Sequence, residues 1–205
     1  MGIPVLILGE SGSGKSTSLR NFKPDELVVY NVAGKPLPFK NGAKFHKADN
    51  VSYSTIMSNM AKGNFKCYVI DDSQYLLSFE MFNRSAESGY TKFTEIAKHF
   101  YDLIQFVIRR TPADCLVYFL HHIEVVNDKA KAKTVGKMLD EKLTVEGLFS
   151  IVLMAQNKDG QHVFLTQSDG SNTVKTPMEM FADAEIDNDL KMVDETIREY
   201  YNLKG

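Results

Sequence analysis

Cysteine is scarce in this sequence of 205 residues, which holds 2. Cys67 and Cys115 each fall inside an apolar run that reads as a strand. That marks them as small core residues and excludes a disulfide scaffold or a zinc site built on cysteine spacing. Arginine is scarce as well, limited to Arg20, Arg84, Arg109, Arg110 and Arg198. A small-molecule kinase clamps the phosphoryl group it transfers with several arginines, whose planar forks meet phosphate oxygens bidentately, and no arginine-rich lid is present here. Excess charge of one sign is lacking too. With a net charge of −2, nothing global advertises nucleic acid, and any such contact has to be a local patch. No apolar run approaches the roughly 20 residues that span a bilayer, and no internal repeat or low-complexity tract appears. The expectation is a soluble, cytoplasmic protein with no membrane partner, its 43% hydrophobic residues filling a single domain over residues 1–205.

What the chain does contain begins at Leu6 to Phe22, LILGESGSGKSTSLRNF. Gly9 to Ser16 fit G-x-x-x-x-G-K-[ST], with Thr17 following. Ile3 to Leu8 is apolar and β-branched, as a buried parallel strand should be, and Ser16 to Phe22 can open a helix. In that context the loop is a phosphate cradle formed by Gly9, Glu10, Ser11, Gly12, Ser13, Gly14, Lys15, Ser16 and Thr17. Glycines at 9, 12 and 14 allow positive φ and turn N–H groups inward, and the positive end of the following helix adds attraction. Lys15 is expected to reach the β- and γ-phosphates, and the Ser16 hydroxyl to hold Mg²⁺.

A carboxylate at the tip of a neighbouring strand completes such a site, and YVIDD supplies Asp71 for the metal and Asp72 to orient the attacking water. The run DCLVYFLHH reads as a further strand ending in His121 and His122, at the same sheet edge if the strands are parallel. Alternation lets one of the two face the γ-phosphate without selecting which, and His121 is the candidate sensor.

ELVVYNV reads as another strand, and AGKPLPFKNG after it as an exposed loop. Phe93, Ile96, Phe100, Leu103, Ile104, Val107 and Ile108 recur at helical spacing and predict a long amphipathic helix from Gly89 to Arg110. NDKAKAKTVGK is polar and aperiodic and reads as a mobile loop, whose Lys129, Lys131, Lys133 and Lys137 are candidate contacts to a nucleic-acid backbone. FSIVLMAQ and QHVFLTQ flank NKDG, a strong hairpin signal. A closing helix carries Leu190, Val193, Ile197 and Tyr201 on one face, with Asp187 or Asn188 as its cap. Strands alternating with helices, followed by a hairpin, predict an α/β P-loop sandwich of three layers, its sheet mostly parallel.

A GTPase is disfavoured: the guanine motif N-K-x-D is not met by QNKDG, where Asp159 comes one position too soon, and no switch glycine follows Asp71. The segments GESGSGKST, YVIDDSQYL, GYTKFTEIAKHF, VYFLHH, KTVGKMLDEKLTVEGLF and the ending TPMEMF, NDL, IREYY together resemble the phage-encoded AAA-family ATP-binding proteins that consist of little more than a RecA-type core. The likeness runs over nearly the whole chain. It implies a RecA-like sheet, ATP at Gly9 to Thr17, Mg²⁺ at Ser16 and Asp71, and an ATPase coupled to single-stranded DNA binding, annealing, recombination or replication in the bacterial host cell. Partners so implied are DNA and either further copies of the chain or a phage recombination or replication protein. Rings of that type complete each site with a cation from the neighbouring subunit, and Lys175 in NTVKTP is the candidate for it. The rival expectations are a nucleotide-gated switch that loads or assembles proteins without touching DNA, and a nucleotide kinase.

Overall fold

The computed structural model describes residues 1–203. Nine strands form one sheet among them: β1 (Ile3–Gly9), β2 (Val28–Asn31), β3 (His46–Asp49), β4 (Cys67–Asp71), β5 (Leu116–Val126), β6 (Lys129–Ala132), β7 (Ile151–Lys158), β8 (Gln161–Leu165) and β9 (Glu185–Asp187). They lie in the order β3-β2-β4-β5-β1-β7-β8-β9, with β6 paired to the far end of β5. The six strands from β3 to β7 in that order are parallel, whereas β8 and β9 run antiparallel. The fold is therefore α/β, with a mostly parallel sheet, C-terminal antiparallel strands and a C-terminal helix. No helix among the described residues is long and apolar enough to cross a membrane.

Alternating side chains of the parallel strands feed two cores, one on each face of the sheet. Leu6, Leu8, Ile70 and Phe119 pack under α1 (Tyr53–Met60), α2 (Gln74–Asn83) and α3 (Thr91–Arg110). On the other face Val5, Ile7, Val69 and Tyr118 meet Leu19 and the Leu190, Val193 and Ile197 face of α4 (Leu190–Tyr200). α3 buries Ile96, Phe100, Leu103, Ile104 and Val107 of the predicted stripe together with Ala97, while Phe93 and Ile108 are half-buried, each large buried side chain contributing roughly 1.5–3 kcal/mol. Both cysteines are free and buried.

Three local expectations are corrected. The segment after the glycine loop is a short 3₁₀ helix, Ser16–Asn21, so its dipole adds little at the loop. The first part of NDKAKAKTVGK, through Ala132, is no loop: β5 continues beyond His122 and pairs with β6 as a hairpin. Asn127 and Asp128 form its turn with φ of 50° and 60°, the doubly left-handed conformation that matches strand twist. α4 is capped by Asp189 rather than by its two predecessors, its carboxylate accepting from the N–H groups of Lys191 and Met192. By contrast, β7 and β8 form the expected hairpin around Asp159 and Gly160.

Candidate functional site

Parallel register sets the site. Gly9 at the end of β1 lies beside His122 of β5, and Asn31 at the end of β2 lies beside Asp71 of β4. The carboxyl ends of β1, β2 and β4 thus meet His122 of β5 at one edge of the parallel sheet, where α/β proteins bind ligands. A pocket of about 230 Å³ opens there, lined by the glycine loop, Lys15 to Thr17, Lys35, Asp71, Asp72 and His122.

The loop is tightly folded. Lys15 is buried and donates to the carbonyls of Gly9 and Glu10, each at 2.8 Å. Burial lowers its pKa to about 8, with Asp72 and Asp71 opposing that shift. Gly12 and Gly14 adopt positive φ, but Gly9 does not. Gly9 is required for a different reason: a Cβ there would meet the Ser13 hydroxyl at 2.4 Å and the Ala155 carbonyl at 2.8 Å. Gly14 is constrained twice, since its φ is 98° and a Cβ would come within 2.9 Å of the His162 ring. His162 on β8, which the sequence does not single out, also hydrogen-bonds the Ser13 carbonyl through Nδ1 at 3.1 Å. The Ser13 hydroxyl is buried without a hydrogen-bond partner, an acceptor-seeking group at the floor of the loop.

Ser16 and Asp71 come together as expected: the hydroxyl donates to Asp71 Oδ1 at 2.7 Å. Burial raises the Asp71 pKa to about 6 despite that hydrogen bond. Among the described residues no group of three or more His, Cys, Asp or Glu side chains could hold a metal on its own. Two hard oxygens fit Mg²⁺, which keeps several waters and takes its other ligands from phosphates. Asp72, with φ of 59°, turns its carboxylate into the same pocket. His122 Nε2 donates to its Oδ1 at 3.1 Å and the Lys35 ammonium lies 2.7 Å from its Oδ2. Burial pushes Asp72 upward, but these two partners outweigh it and hold the group down at about 2.

The two histidines are reversed relative to expectation. His121 is fully buried against the Phe100 ring. Its Nε2–H donates to the Lys133 carbonyl at 2.8 Å, which leaves Nδ1 to accept from the Ser73 hydroxyl at 2.9 Å. Both ring nitrogens are occupied, and burial depresses its pKa to about 4. His122 lines the pocket instead.

The lysines of the β5–β6 hairpin differ among themselves. Lys131 pairs with Asp140 and lies 3.9 Å from Glu124, and Lys137 pairs with Glu141 at 3.5 Å. Lys129 and Lys133 are exposed and have no ion pair among the described residues. The hairpin walls a cleft of about 580 Å³ with Ile123, Val125 and Ala130, opposite Met154 to Asn157, and Glu10 to Ser13 of the glycine loop close its end. Lys175 sits apart from both pockets, bridged by backbone hydrogen bonds to Val152 and exposed to solvent. Comparison with protein-family models and with curated proteins finds no match for this chain.

Proposed function

We propose that the chain is a P-loop ATPase with a three-layer, RecA-like core that binds Mg·ATP and couples its binding and hydrolysis to single-stranded DNA binding, annealing or recombination. The observation that carries this reading is the Ser16–Asp71 hydrogen bond beside the buried Lys15, in a pocket lined by residues of the glycine loop. The phage origin and bacterial cytoplasmic setting belong to the same reading and rest on the resemblance alone.

In this mechanism Lys15 and the loop amides hold the phosphates, and Ser16 and Asp71 hold the metal. Bound Mg²⁺ would neutralise charge on the β- and γ-phosphate oxygens. Asp72 orients a water whose oxygen forms the new bond to the γ-phosphorus, while the bond to the bridging oxygen breaks and its electron pair leaves with ADP. The water proton passes to the Asp72 carboxylate, which His122 orients. His122, rather than His121, is the residue suited to sense the terminal phosphate.

The DNA part rests on the hairpin, which shares a cleft with the glycine loop and carries exposed Lys129 and Lys133. A second reading, a nucleotide-gated assembly switch that never touches DNA, draws support from the neutralisation of Lys131 and Lys137 by acids. Titration calorimetry with ATP, with and without magnesium, tests the common core: absence of heat in both overturns it. ATPase rate with and without single-stranded DNA divides the readings, and phosphate transfer to a nucleoside or nucleotide acceptor would favour a kinase instead.

A further inference from the structure

The segment 33–42, AGKPLPFKNG, follows β2 as a loop whose sequence alone leaves open whether it lies near the site or merely connects two elements. Its third residue, Lys35, stands in the pocket with Lys15, Ser16, Asp71, Asp72 and His122. We infer that Lys35 supplies, from the same chain, the cation that contacts the terminal phosphate, and that Asp72 and that phosphate compete for its ammonium. This rests on the Mg·ATP reading above and adds to it a charge that the resemblance implied would come from a neighbouring subunit.

The loop backbone is built to hold Lys35 in position. Asn31, buried at the end of β2, donates from Nδ2 to the Lys35 carbonyl and to Asp49 Oδ1, both at 2.6 Å. The same Asn31 is the register partner of Asp71, so the Lys35 main chain is tied to the strand layer that carries the metal-site carboxylate. Gly34 takes φ of 69°, and a Cβ there would meet Asn50 Oδ1 at 2.6 Å. Pro36 and Pro38 follow and restrict the chain further.

The side chain, in contrast, is free to turn. It is 60% exposed, and its ammonium lies 2.7 Å from Asp72 Oδ2 and 5.3 Å from the centre of the Tyr75 ring. An ammonium with three donors on a four-carbon stem can exchange one oxygen for another inside a single pocket. A terminal phosphate offers more charge and more acceptor oxygens than one carboxylate, so it wins that exchange. The consequence falls on Asp72. His122 keeps Oδ1, whereas Oδ2 loses its partner and becomes available to accept the proton of the attacking water. The same movement brings positive charge to the γ-phosphoryl oxygens, where it stabilises the transition state. No arginine lines this pocket, and Lys175 lies elsewhere on the sheet.

Discrimination between ATP and ADP is the most direct test, since only ATP carries the phosphate that Lys35 is assigned to touch. The wild-type chain, Lys35→Ala and Lys35→Arg are titrated with Mg·ATPγS and Mg·ADP, and ATP turnover is measured alongside. The expected result is that Lys35→Ala binds Mg·ADP within about threefold of wild type, loses roughly tenfold in its preference for the triphosphate, and hydrolyses ATP on the order of 100-fold more slowly. Lys35→Arg should recover most of the preference. Equal loss toward both nucleotides would indicate a merely structural loop and overturn the assignment, as would an unchanged preference. Recovery of hydrolysis on mixing Lys35→Ala with Lys15→Ala would show a cation acting between subunits and also overturn it. A wild-type chain that binds neither nucleotide overturns the ATPase reading itself, a result distinct from loss of discrimination alone.

Discussion

Ser16 and Asp71 stand 55 positions apart in the chain, yet the hydroxyl of one donates to the carboxylate of the other at 2.7 Å. Ser16 opens the 3₁₀ helix after the glycine loop that leaves β1, Asp71 ends β4, and β5 lies between those two strands. On the Mg·ATP reading, magnesium dependence then rests on two separate segments. Ser16→Ala and Asp71→Asn are each expected to leave magnesium-free nucleotide binding nearly unchanged and to remove most of the gain that magnesium brings, about 10- to 100-fold in affinity. Calorimetry with and without the metal measures that gain. A gain of wild-type size in both variants would contradict the assignment.

Lys15 poses the opposite balance of stability and function. Its ammonium is buried, donates to the carbonyls of Gly9 and Glu10, and is depressed in pKa by desolvation. Replacing a buried charge with an apolar side chain of similar length is often neutral or stabilising. Lys15→Met should therefore melt within a few degrees of the wild type while losing at least about 100-fold in Mg·ATP affinity. Thermal unfolding and calorimetry on the same preparation separate the two effects.

Much of the fold was legible because its elements advertise themselves by period. The seven apolar positions of α3, the continuous runs of β1 and β5 and the Asp159–Gly160 turn each correspond to an observed element. What escaped had no such pattern. β3, with the sequence HKAD, is an edge strand whose residues are mostly exposed, so it carries no apolar alternation. β6 is written in alternating lysine and alanine, and its one local sign was the Asn127–Asp128 turn. The glycine loop, Asp71 and Asp72 were readable because motif and strand ends fix them locally. His121 and His122 could not be separated, since alternation gives two faces and only the packing of α3 through Phe100 tells which one is closed. Lys35 and His162 reach the site from segments with no motif at all, brought there by β2 and β8.

Acid sensitivity should be masked in the wild type and revealed by one substitution. His121 has its pKa lowered from 6.5 to about 4, so between those values the unfolded chain binds more protons and stability falls as pH falls. Asp71 is raised from 3.8 to about 6, so across nearly the same window the folded chain binds more protons and stability rises as pH falls. The two displacements are similar in size and opposite in sign, each worth on the order of 3 kcal/mol when complete. Asp72, held down near 2, titrates below this window. Urea unfolding at pH 7 and at pH 4.5 should thus give similar stabilities for the wild type, whereas Asp71→Asn should lose most of 3 kcal/mol on acidification. A wild-type loss as large as that of Asp71→Asn would mean that Asp71 is not protonated in the folded chain.

The hairpin lysines offer the sharpest division between a DNA-coupled ATPase and an assembly switch. Coulomb attraction to a phosphate backbone is available to a lysine only if no carboxylate already holds it. Lys131 is held by Asp140, and Lys137 has Glu141 at 3.5 Å, while Lys129 and Lys133 face solvent. On the DNA reading, Lys129→Ala and Lys133→Ala should each lower the slope of log affinity against log salt by about 0.7 for a single strand. Lys131→Ala and Lys137→Ala should change that slope little, and Lys131→Ala should cost about 1 kcal/mol or less in stability by leaving Asp140 without its partner. Fluorescence anisotropy of a labelled oligonucleotide across a salt series, in the presence of Mg·ATPγS, gives all four slopes. Were no variant to alter the slope, or were the wild type to bind no oligonucleotide, the exposed lysines would have no backbone to meet. The cleft shared by the hairpin and the glycine loop would then belong to a protein partner.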